Sequence, residues 1–230
     1  MDEREMTEST AGTGAEQTTG APVRVVLFDY GAGNLHSLRK GLEAGGAQVT
    51  VSTEWDEALA QDALVLPGVG SFGAAVEALQ GHEERVRGAL DEGLPCLGIC
   101  LGMQLLFAES EEGPGTGIGF VPGRVRKLRT RTIPQMGWND VASAPGAGAG
   151  NPLLSGLEAG WAAYYANSFV CDVVDPDEVI ARSEYDGESF PAALNRGRTW
   201  GVQFHPEKSS TPGLHLLRNF LAEVRRGRDG

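Results

Sequence analysis

Residues 94–107, Leu-Pro-Cys-Leu-Gly-Ile-Cys-Leu-Gly-Met-Gln-Leu-Leu-Phe, read as a buried strand that runs into a sharp turn, with a helix leaving directly behind it. Cys100 stands at the turn, and Gly98 and Gly102 flank it two residues to either side. This is the spacing of a strained strand-to-helix elbow that holds a nucleophile at the edge of a sheet. A Cβ at either glycine would collide with the next strand or helix, which is why small residues are required there. The helix expected from Leu101 would turn unpaired N–H groups and its dipole toward Cys100, a setting that favours a thiolate. The competing reading is an inert cysteine packed in a core. The choice between them turns on whether the chain supplies a base.

The flanking sequence gives the elbow a sheet. Residues 23–28 form an apolar, β-branched run, followed by Asp29-Tyr-Gly-Ala-Gly33 and a helical pattern opening at Asn34, an N-cap candidate. A dinucleotide fingerprint would need glycine at position 36, where the chain has His36, so a nicotinamide cofactor is not expected. Residues 48–52 and 63–66 read as further strands, the second running into the glycine turn Pro67-Gly-Val-Gly-Ser-Phe72, and a helix is expected from there to about Glu92. Strand and helix therefore alternate through the first half, the pattern of a parallel sheet covered on both faces, whose functional loops lie at the strands' carboxyl ends. From Glu111 shorter runs take over, at residues 119–128, 132–141, 162–173, 179–183, 190–195 and 199–204, with a small-residue loop over 144–150. A last amphipathic helix is expected from Pro212 to about Arg225, with Leu214, Leu217, Phe220, Leu221 and Val224 at helical spacing. Residues 1–21 are polar, acidic and without apolar periodicity, and read as a disordered leader before one domain over 22–228.

Composition removes several function classes. Lys and Arg total 19 against 31 Asp and Glu, and the formal charge of −12 argues against a nucleic-acid partner. The basic run over 124–131 reads as a solvated strand pair. Three cysteines, an odd number, suit a reducing compartment better than a disulfide framework. Neither an apolar span of membrane length nor a basic-then-apolar leader is found, so a cytoplasmic location is expected.

Among four histidines, His205 alone has a loaded context, Thr199-Trp-Gly-Val-Gln-Phe-His-Pro-Glu-Lys208. On a strand, residues two apart share a face, so His205 and Glu207 are expected to project together, with Pro206 restricting the backbone between them. A carboxylate can then orient an imidazole that serves the Cys100 thiol as its base. For His36, His82 and His215 a surface or core-edge histidine is the better reading. Cys96 and Cys100 have no histidine or cysteine pair at zinc spacing, and no metal site is expected.

Gly98-Ile-Cys-Leu-Gly-Met-Gln104 taken together with His205-Pro-Glu207 resembles the class I, or triad, glutamine amidotransferases, over residues 23 to 225. Within that group Phe28-Asp-Tyr-Gly-Ala-Gly-Asn-Leu35, Pro67-Gly-Val-Gly-Ser-Phe72, Pro134-Gln-Met-Gly-Trp-Asn139 and Gln203-Phe-His-Pro-Glu-Lys-Ser209 look like the glutaminase subunits of imidazole glycerol phosphate synthases. The resemblance implies a flavodoxin-like α/β fold, with a mostly parallel central sheet flanked by helices and added antiparallel strands. It implies a triad of Cys100, His205 and Glu207 that hydrolyses glutamine through a thioester, without cofactor or metal. Backbone N–H groups of Leu101 and of the turn at Gly70 would hold the oxyanion, and Gln104, Glu112 and the backbone at Ser168 would hold the amino-acid end of glutamine. Trp138, Tyr164 and Lys208 match residues that face a separate TIM-barrel cyclase subunit, which accepts the ammonia as partner in a heterodimer. One departure stands out: where the family usually has Phe-Val-His-Ser-Tyr, this chain has Tyr165-Ala-Asn-Ser-Phe169. Three other readings remain open at this level: a paralogous amidotransferase serving a different synthase, a catalytically silent scaffold, and a stand-alone cysteine hydrolase of γ-glutamyl bonds.

Overall fold

The computed structural model describes residues 21–31 and 35–228. The leader expected over 1–21, apart from Ala21, and the Asn34 cap lie outside the described residues.

Nine strands form one sheet in the order β2-β1-β3-β4-β12-β11-β10-β7-β8. Its parallel half comprises β1 (Val23–Phe28), β2 (Ala47–Ser52), β3 (Ala63–Leu66), β4 (Cys96–Ile99) and β12 (Thr199–Val202). β11 (Glu188–Arg196), β10 (Val179–Tyr185), β7 (Gln135–Ser143) and β8 (Trp161–Asn167) extend it antiparallel from β12 outward. A second sheet joins β5 (Glu109–Ser110), β6 (Gly123–Lys127) and β9 (Phe169–Val173).

Alternation along the parallel strands divides the core in two. Val23, Val25 and Leu27 face one cluster, closed by Leu38 and Leu42 of α1 (His36–Ala44) and by Leu217, Phe220 and Leu221 of α6 (Ser210–Arg228). Val26 and Phe28 face the other, closed by Trp55 of α2 (Trp55–Leu59), Phe72 and Leu79 of α3 (Phe72–Leu79), and Val86 and Leu90 of α4 (Glu83–Asp91). β3, β4 and β12 are buried along their whole length, as strands covered on both faces must be. That continuous burial is why residues 63–66 and 94–99 read as unbroken apolar runs.

Three expected elements differ in the structure. The helix expected up to Glu92 is two helices, broken where Gly81 adopts φ 82. The run 162–173 is not one strand: it divides at Ser168, with β8 in the large sheet and β9 in the small one. Behind the elbow stands only one helical turn, α5 (Leu101–Gln104). Among the described residues no helix is long and apolar enough to cross a membrane.

Candidate active site

The elbow is as tight as its glycines imply. Cys100 has φ 47 and ψ −104, a conformation that costs a non-glycine residue about 1–3 kcal/mol and persists only where the surroundings impose it. They do so here: the Cys100 N–H donates to the Val202 carbonyl at 2.7 Å, and the Cys100 carbonyl accepts from the Gln104 N–H at 3.0 Å. A Cβ on Gly98 would lie 2.6 Å from the Gly102 carbonyl oxygen, and one on Gly102 would lie 2.0 Å from that of Leu66. β3, β4 and the turn after β4 can therefore approach only without side chains at these two positions. The sulfur is less open than the sequence suggests, since Cys100 is only 7% exposed and is reached from a cleft.

His205 and Glu207 meet, but not by strand alternation. β12 ends at Val202, and His205 caps a 3-10 turn, Pro206–Lys208, that swings Glu207 back toward the ring. The His205 Nδ1 to Glu207 Oε1 distance is 2.9 Å, and both side chains are buried. The backbone is tied down as well: His205 N–H donates to the Tyr164 carbonyl at 2.8 Å. Ser209 Oγ donates to the His205 carbonyl at 2.6 Å and accepts from the Tyr164 N–H at 2.9 Å. A Cβ on Gly68 would fall 2.8 Å from His205 Cε1 and 2.9 Å from Cys100 Cβ, so this bare backbone lets base and nucleophile close on one point. Burial by itself would strip the proton from His205; the hydrogen-bonding Cys100 sulfur and the Glu207 carboxylate outweigh it and raise the imidazole to about 10.

A cleft of about 220 Å³ opens on the sulfur. That is below the ~300–1,000 Å³ of sites for drug-sized ligands and suits a small metabolite. Gly68, Gly70, Cys100 and Leu101 line it on one side, with Gln104, Glu112 and Ser168 around them. Gly70, at φ 110, belongs to the turn ahead of α3. Glu112 Oε1 accepts from the Phe72 N–H at 3.4 Å. Burial raises the Glu112 carboxyl above the ordinary carboxylate range, and the Phe72 N–H only partly offsets it. A positively charged group arriving beside Glu112 would relieve that cost. Asn167, where the family usually has histidine, turns its Nδ2 to the Phe169 carbonyl at 3.1 Å, and its Oδ1 is buried with no partner.

Trp138, Tyr164 and Lys208 stand outside the cleft but together. Trp138 and Tyr164 face each other across β7 and β8, rings edge to face at 6.2 Å, and Lys208 Nζ lies 5.8 Å from the Tyr164 ring centroid. Trp138 is 57% exposed, and Met136, a residue not singled out in the sequence, is 67% exposed beside it. The strand period of two places both on one face, which was the available signal. Gln203 also went unread as a functional residue; it is completely buried and reaches the Cys100 sulfur. The basic run over 124–131 is only partly a solvated face. Arg126 is buried, bonded at 2.8 Å to Asp172 and also to Glu188.

A cysteine on a glycine-flanked elbow with an oriented histidine behind it, on a mixed sheet of this order, defines a class. The family model described as glutamine amidotransferase class-I matches residues 26–224, and the chain belongs to that family. Among curated relatives, the imidazole glycerol phosphate synthase subunit HisH of Synechococcus sp. (strain JA-3-3Ab) is 43% identical over 210 residues, covering 89% of this chain and 95% of the relative. The HisH subunit of Halobacterium salinarum is 42% identical over 216 residues, covering 89% and 96%. PurLQS from Thermotoga maritima shares the fold at TM-score 0.69 and 20% identity, over 89% of this chain and all of that one. A solved glutamine amidotransferase matches at TM-score 0.67 and 22% identity, over 88% and 99%.

Proposed function

We infer that the chain is the glutaminase subunit of an imidazole glycerol phosphate synthase, hydrolysing glutamine to glutamate and ammonia for histidine biosynthesis. The observation that carries this reading is the convergence of Cys100 and the His205–Glu207 pair on one small cleft, in a chain so similar to HisH subunits over most of its length.

The geometry supports a two-stage reaction. The Cys100 sulfur bonds to the carboxamide carbon of glutamine, and the carbonyl oxygen takes the negative charge. N–H groups of Leu101 and of the Gly70 turn are the donors proposed for it, each such donor typically worth about 2.7–4 kcal/mol of barrier. His205 gives its proton to the nitrogen, the C–N bond breaks, and ammonia leaves a glutamyl thioester. Water then adds as His205 takes its proton, the C–S bond breaks, and glutamate departs. Glu207 holds the ring with Nε2 toward the sulfur and stabilises its charged form. Glu112, Gln104 and the backbone at Ser168 hold the amino-acid end of the substrate.

The ammonia passes to a TIM-barrel cyclase subunit (HisF), docked as a heterodimer on the patch of Trp138, Tyr164 and Lys208. There it completes imidazole glycerol phosphate and an aminoimidazole ribotide. Cys100→Ser, mixed with a cyclase subunit, should abolish synthesis from glutamine and leave synthesis from added ammonia intact. Glutamine hydrolysis surviving in that variant would overturn the assignment.

A further inference from the structure

Gln203 takes no part in the reaction as written, yet it is fully buried and its Nε2 donates to Cys100 Sγ at 3.5 Å. Its orientation is not free. The Phe169 carbonyl can only accept, so the end of Gln104 that meets it at 3.2 Å must be the amide nitrogen. That nitrogen also reaches Gln203 at 3.3 Å, which makes the Gln203 end there the oxygen. The remaining end of Gln203, the one against the sulfur, is then an N–H donor. Two buried amides in series thus transmit the polarity of one backbone carbonyl to the nucleophile.

We propose that Gln203 is a positioning residue for Cys100: its N–H, aimed by Gln104 and the Phe169 carbonyl, holds the sulfur as a thiolate in the attacking direction. The proposal deepens the reading of Cys100 as nucleophile and rests on it. The Gln203 N–H acts beside the His205 imidazolium before the sulfur attacks and again once the C–S bond has broken, and it involves no proton transfer. Gln203 does not line the cleft, so its loss should act on the chemical step rather than on glutamine binding.

The test uses Gln203→Met, which keeps length and apolar volume and removes the donor, in the full chain. Two readouts are independent. The first is the pH dependence of Cys100 alkylation by iodoacetamide, followed by mass spectrometry, which requires no glutaminase activity. Losing a hydrogen bond to a charged group should move its midpoint upward by about one unit or more. The second is glutamine turnover in complex with the cyclase subunit, where kcat should fall roughly ten- to hundredfold at unchanged KM. Synthesis from added ammonia should not change. An unmoved alkylation midpoint would overturn the proposal, as would a rise in KM with kcat intact. Should Gln203→Met fail to fold, Gln203→Glu is read by the same alkylation profile. It places an acceptor against the sulfur, so the same upward displacement is required and its absence overturns the proposal. If instead the unaltered chain alkylates as expected but shows no glutaminase activity in the complex, it is the functional reading that fails.

Discussion

At the scale of the residue, the site is built by opposing tendencies, and His205 shows which one prevails. Its burial disfavours the charged ring, while the Cys100 sulfur and Glu207 hold the proton, and the balance lifts the imidazole from its usual 6.5 to about 10. A raised value means that the fold binds the proton more tightly than the unfolded chain. The stabilisation is therefore complete below the ring's ordinary midpoint and is lost as pH climbs through about 10. Imidazole nitrogen NMR at about pH 8 should show a doubly protonated His205, at a pH where an unperturbed ring is neutral. Glu207→Gln keeps a hydrogen-bond acceptor but removes a charge, so the midpoint should fall in that variant. A neutral ring at that pH in the unaltered chain would show that the cysteine and histidine do not form a charged pair.

Among the elements, the elbow between β4 and α5 leaves little room for change. Gly102→Ala would drive a Cβ to 2.0 Å from the Leu66 carbonyl oxygen, a backbone atom in a buried strand. The expected loss is on the order of 3 kcal/mol or more by urea unfolding. Gly73→Ala in α3 meets nothing within 4 Å and should be neutral or gain up to about 1 kcal/mol. Equal effects at the two glycines would mean that conformation rather than contact governs the elbow. These glycines, Cys100 and the His205–Glu207 pair were legible because their chemistry demands a local spacing. Residues 23–28 and 63–66 were legible because a strand buried on both faces leaves an apolar run. The division at Ser168 was not: the apolar run resumes at Phe169 after only Asn167 and Ser168, with no glycine or proline, and tertiary pairing sends β8 and β9 to different sheets. The true source of the His205–Glu207 contact, a 3-10 turn in place of a strand face, was hidden because both geometries bring the two side chains together. Gln203 was hidden for another reason, since its partners lie at Gln104 and Cys100 and no local pattern connects a buried amide to groups that distant.

For the molecule as a whole, Trp138 and Met136 are exposed apolar side chains on one face of β7, and Trp138 stands close to the site: it packs on Tyr164, whose carbonyl holds the His205 N–H. A partner that covers this patch presses on the strand that fixes the base. Trp138→Ala should weaken binding of the cyclase subunit about thirtyfold or more, the effect of losing an aromatic anchor worth 2 kcal/mol or more. Isothermal calorimetry checks this, with circular dichroism verifying the fold. Undiminished affinity would place the docking surface elsewhere.

The pairing of β4 with β12 has a consequence during synthesis. Gln203, just past the end of β12, follows Cys100 by 103 residues. At about 5–20 residues per second, the ribosome takes roughly 5–20 s to deliver the second strand after the first. Until then the nascent chain carries β4 as an open edge, the kind that invites pairing with other chains. It also carries the Cys100 thiol without His205, Glu207 and Gln203, the groups proposed to serve it. On the proposed mechanism a newborn chain does not consume glutamine, and the docking of one short strand both seals the edge and completes the site.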